Sequence, residues 1–163
     1  MFFRSAHHYK RSSAYNTILK ATFVAGTLDI LIALVQFYLQ SKRNPVVVLN
    51  YIASAVFSRA AFTGGTLMAL WGLFFHYVVT LFWAILFFMI YRKVNGVTGS
   101  NIITGIVYAL VIWLGMNLVV LPLSAIPSMP FNIRSALTGA AILVIAVGLP
   151  FSFIMKKHFA TEA

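Results

Sequence analysis

The stretch 28-LDILIALVQFYLQ-40 decides how this chain is read. Nearly every residue in it is a hydrocarbon, yet it holds Asp29, one of only two acidic residues in 163. The run extends on both sides to about residues 18–39. That matches the roughly 20 apolar residues a helix needs to cross a bilayer. Three further runs of the same kind follow, at about 66–91, 102–123 and 136–155. Strand-like alternation, the mark of a barrel, is missing.

Composition agrees. The chain is 61% hydrophobic and 9% charged, against about 25% charged in a soluble domain. A soluble domain of this size has too little interior for so much apolar surface. The expected fold is therefore all-α: one polytopic membrane domain over 1–163, with four transmembrane helices. Its solvent and first partner is the lipid bilayer.

The net charge is +10. The basic residues stand at the ends of apolar runs, which points to topology control and anionic headgroups and away from nucleic acid. Four spans place both termini on one side. That side holds Arg4, Lys10, Arg11, Lys20, Arg92, Lys93, Lys156 and Lys157, and the other holds Lys42, Arg43, Arg59 and Arg134. The positive-inside rule then predicts cytoplasmic termini. Residues 1–17 read as a basic arm. The first run is too long for a signal h-region and lacks a cleavage site, so it reads as an uncleaved first span.

Between the first two spans, 44-NPVVVLNYIASAVFSRAAFTGG-65 carries a shorter apolar helix at about 45–58. Pro45 suits its first turn, and Gly64 and Gly65 allow the turn that follows. At about 14 residues it is too short to span, so it is expected to lie in the outer interface or to re-enter partway. Asn50, Tyr51, Ser58 and Arg59 are its candidate functional residues. The other outer connection, 122-PLSAIPSMPFNIR-134, holds three prolines and reads as a stiff strap. Pro150 is expected to kink the fourth span.

Polar residues inside the spans are the main functional candidates. Thr22, Asp29 and Gln36 are spaced by seven, with Ala25, Gly26 and Ala33 on the same side. That stripe should face the bundle, with Phe23, Ile30, Leu34 and Phe37 toward lipid. On the second span Gly65, Ala69, Gly72, His76, Thr80 and Trp83 form a similar stripe. Asn117 lies on the third span, on a different face from Tyr108 and Gly115. A charged Asp at the centre of a span costs about 2.5–3.5 kcal/mol on insertion scales. Carrying its proton, pairing with His76 or meeting Arg59 would each reduce that. The candidate intramembrane cluster is thus Asp29, His76, Asn117, Gln36 and Thr80.

Enzyme chemistry finds little support. Glu162 is in the tail, and one Asp and one His do not make a catalytic constellation. There is no cysteine. His7 and His8 sit in the basic arm without further ligands, so no metal site is expected. No phosphate or dinucleotide motif is present, and no cofactor is expected.

The stretches AGTLDI (25–30), YIASAVF (51–57), GLFFHY (72–77), MNLVVLPLSAIP (116–127) and GLP (148–150) resemble a family of small four-helix bacterial membrane proteins. The resemblance covers most of residues 20–155. It implies a bacterial cytoplasmic (inner) membrane and no particular activity. Two functional readings follow. One is binding or movement of a proton or small polar solute at Asp29 and His76, with a homo-oligomer forming the path. The other is an accessory or assembly subunit of a larger membrane complex, with Asp29 and His76 as interhelical hydrogen-bond partners.

Overall fold

A computed structural model describes residues 3–126 and 132–161, with side chains from residue 14 onward. The described residues are helical, with no strand among them. Helix α1 is Phe3–Ser41, α2 is Val46–Phe57 with a 3-10 turn Ser58–Phe62, and α3 is Gly65–Thr98. Helix α4 is Asn101–Leu123 and α5 is Ile133–Thr161. Four of the five are long and apolar enough to cross a membrane: residues Ala14–Ser41 of α1, and α3, α4 and α5.

The basic arm is not separate from the first span, because α1 runs through it from Phe3. No proline or glycine interrupts residues 3–25, so nothing there breaks the backbone ladder. Helix α1 stops where Lys42 turns to φ 56° and its N–H reaches the Tyr38 carbonyl at 2.8 Å. Asn44 then accepts the Val46 N–H at 3.0 Å and Pro45 opens α2. Gly65 and Gly99 take the left-handed conformation at φ 60° and 64°, which only glycine adopts freely. They start and end α3. Asn132 caps α5 by accepting the Ser135 N–H at 3.2 Å. Of the proline-rich strap, Pro127 and Pro130 lie outside the described residues.

Pro150 follows a five-residue π turn, Val144–Gly148. Pro122 likewise follows a π turn, Met116–Val120. In both helices one leucine separates the wide turn from the proline. A proline cannot donate to the carbonyl four residues back and its ring crowds that oxygen. Widening the preceding turn by one residue relieves both.

Helix α1 packs on α3 and α5, and α4 packs on α3 and α5. The packing is concentrated in the half nearest the termini. There Phe87 stacks on Tyr108 at 4.1 Å, and Phe151 stacks on Phe87 at 6.0 Å. The Tyr108 hydroxyl donates to the Trp83 carbonyl at 2.7 Å. Gly105 and Gly148 bring α4 and α5 into backbone contact: a Cβ on Gly105 would lie 2.8 Å from the Gly148 oxygen. Small residues allow such approach between helices in lipid. The turn beneath is tied by Asn101, whose Oδ1 accepts from Tyr91 at 2.8 Å and from Ser152 at 2.7 Å.

The other half, next to α2, is different. No residue is buried in 31–41 of α1, in 113–123 of α4 or in 133–143 of α5. Only α3 has buried residues there, Ala69 and Gly72, and the backbone of Leu49 in α2 lies against Gly72.

Candidate functional site

The α1–α3 seam holds the intramembrane polar residues. Gly26 makes the seam possible, since a Cβ there would meet the Tyr77 ring at 2.9 Å. Across it, His76 Nε2 lies 2.8 Å from the Gly26 carbonyl oxygen. A carbonyl only accepts, so Nε2 carries the hydrogen and donates it. Beside this bond, Thr27 and Tyr77 share a hydrogen bond of 2.8 Å. Asp29 follows Gly26 by three residues, on the same side of α1, and is within electrostatic reach of His76.

Asp29 and His76 are thus brought together as neighbours without a hydrogen bond. His76 spends Nε2 on the backbone. Asp29 is half-buried and makes no hydrogen bond or ion pair among the described residues. Arg59, the other candidate counter-charge, is exposed on the turn after α2. Such a carboxylate is unusual, because polar groups at this depth normally find partners.

The remaining sequence candidates fall elsewhere. Thr80 is buried beside Gly26, but its hydroxyl donates to the His76 carbonyl at 2.8 Å, within its own helix. Gln36 is half-buried two turns from Asp29 on the same stripe. Asn117 does not join the cluster. It is exposed and its Nδ2 donates to the Trp113 carbonyl at 2.8 Å, at the start of the wide turn that Pro122 imposes. The α1–α3 seam carries the acid, and α4 packs on the far side. Ile30, placed on the lipid face by periodicity, is 5% exposed. It follows Gly26 by one turn, and α1 has neighbours on more than one side.

Around α2, Asn50 is half-buried and its Oδ1 is sealed without a partner. Tyr51 is half-buried, and burial raises its phenol pKa above the ordinary value. Ser58 is exposed with φ 51°. The side chains of His7 and His8, and Glu162, lie outside what the structure describes. Among the described residues no group of three or more His, Cys, Asp or Glu could hold a metal ion.

Three features were missed by periodicity. One is the use of a backbone carbonyl, Gly26, as the partner of His76. Another is the Thr27–Tyr77 bond, whose Thr27 lies off the polar stripe. The last is Trp83, 8% exposed with its indole N–H unpaired. Only Tyr77, adjacent to His76, had a visible signal. No known protein family, curated protein or solved structure matches the chain.

Proposed function

We propose that the protein is a bacterial inner-membrane protein that binds or moves a proton, or a small polar solute, at Asp29 and His76. One observation carries this reading: a mid-span carboxylate within electrostatic reach of a histidine has no hydrogen-bond partner among the described residues. An acid kept for interhelical bonding would be bonded. A histidine that holds a proton on Nε2 has its second nitrogen left to gain or lose one. In this reading the termini are cytoplasmic, on the eight-to-four distribution of basic residues, and α2 lies in the outer interface.

The test is Asp29→Asn. Its detergent melting point should equal or exceed that of wild type, with an unfolding free energy unchanged or higher by up to about 1 kcal/mol, because no native bond is lost. In proteoliposomes under a pH gradient it should lose the proton movement that wild type shows. Wild-type flux in a well-folded Asp29→Asn protein would remove the proposal. A clearly lower melting point would instead make the carboxylate structural.

A further inference from the structure

Helix α4 packs on α3 and α5, with Thr104, Gly105, Tyr108, Ala109 and Ile112 buried. Its opposite face is uncovered. Ile103, Val107, Leu110 and Leu114 are 39–49% exposed, and Asn117 is exposed with them. Their spacing alternates between four and three residues, so they form one stripe along the helix. Four of the five are hydrocarbon, as suits lipid, and Asn117 is the exception. It lies five residues past the midpoint of α4, Asn101–Leu123. That is about 7 Å of rise, so the amide sits well inside a hydrocarbon layer about 30 Å thick. One of its hydrogens is donated to the Trp113 carbonyl at 2.8 Å, within the same helix. An amide has a second hydrogen and an acceptor oxygen, and neither has a partner among the described residues. Hydrocarbon satisfies neither group, and amides in spans bond across helices.

We infer that α4 is a self-association surface, on which two copies of this chain pack side by side about a two-fold axis normal to the membrane, with their Asn117 amides hydrogen-bonded to each other. The leftover groups fit this pairing. Each Asn117 has one hydrogen to give and one oxygen to accept with, and the two-fold axis sets each hydrogen against the oxygen of the other copy. A second copy is the partner certain to present an amide at this depth, because copies inserted by the same charge bias share one orientation.

The four-three spacing suits the shallow left-handed crossing common to paired helices in lipid. A single Asn in such a stripe fixes which residues lie opposite each other. The contact is independent of proton binding. Helix α1 lies diagonally across the bundle from α4, since each packs on α3 and α5. The pairing therefore leaves Asp29 of each copy on the far side of its own bundle.

The absence of native cysteine allows crosslinking through single thiols in the membranes of the expressing cell. Leu110→Cys lies on the stripe, seven residues before Asn117. Val35→Cys, at a position 56% exposed on α1, lies off it. A disulfide needs Cβ atoms about 4 Å apart, so oxidation should join Leu110→Cys into a covalent dimer and leave Val35→Cys monomeric. The purified full chain, carrying donor and acceptor dyes, is then followed by energy transfer in liposomes as added lipid dilutes it. Asn117→Leu should weaken the dimer by about tenfold or more, as expected for two lost interhelical hydrogen bonds. Asn117→Gln keeps the amide and should weaken it less. Asn117→Leu should also melt close to the wild-type temperature, because the bond it loses within the chain is exposed and local to α4, so a lost dimer is not a lost fold. A monomer at every dilution overturns the proposal and leaves the stripe to lipid or to a different membrane subunit. Equal association of Asn117→Leu and wild type overturns it as well, as does crosslinking through Val35→Cys without Leu110→Cys.

Discussion

Gly148→Val should be the most damaging single substitution in the half nearest the termini, lowering stability by about 3 kcal/mol or more. The first added carbon would fall on the Gly105 carbonyl oxygen and 2.8 Å from the Ala109 Cβ. Neither is the end of a flexible chain, so the strain can be relieved only by moving α4 away from α5. That movement would loosen the Phe87–Tyr108–Phe151 stack, which packs against the same contact. Thermal unfolding in mild detergent measures the effect. Gly139→Val is the control, because a Cβ there meets only the Trp113 nitrogen, at 3.7 Å, and its melting point should stay near that of wild type. Equal melting points for Gly148→Val and wild type would show that the backbone contact does not hold the bundle.

Gly72→Ala should act at the opposite end and release α2 from α3. Its methyl would overlap the Leu49 carbonyl group, with the Leu49 Cα at 3.1 Å. Helix α2 is also held by its buried Ala53 and Ser54, by Phe57 packed against Trp71 and Phe75 at 5.9 Å each, and by the Ala55 carbonyl, which accepts the Ala125 N–H at 3.1 Å, but its closest approach to α3 is at Gly72. Hydrogen exchange should rise by an order of magnitude or more across 46–57, as expected for a loss of about 1.4 kcal/mol or more in local opening. Exchange in Phe87–Tyr91 should not change, because that part of α3 lies in the half nearest the termini, away from α2. Unchanged protection over 46–57 would mean that α2 is held from elsewhere.

These two substitutions also show what could be read without coordinates. Glycines on helical stripes announce close packing, and of the stripe Gly65, Ala69, Gly72, His76, Thr80 and Trp83 all but Gly65, which is exposed with open space around it, face neighbouring helices. The partner of each glycine could not be read. Gly72 meets α2 and Gly148 meets α4, and nothing in either local sequence distinguishes the two. Asn117 shows the same limit. Its residue type suggested the cluster, but which helix lies opposite is a property of the bundle's order. Ile30 failed for a related reason. A helix with neighbours on two sides buries more than the one stripe its period reveals.

The sequence by itself determined the solvent and the count of spans. Apolar length and charge placement are local quantities, and a bilayer reads them segment by segment. It also marked Asp29 and His76, because a polar group in a hydrocarbon run stands out against its neighbours whatever the fold. Only the tertiary structure decided that His76 bonds the Gly26 backbone and leaves Asp29 without a hydrogen bond among the described residues. Only it decided that the buried aromatic core gathers in the half of the bundle nearest the termini. Both depend on how far apart helix axes lie at a given depth. That distance is set by which side chains and glycines meet across a seam, and a single helix does not contain its own partner.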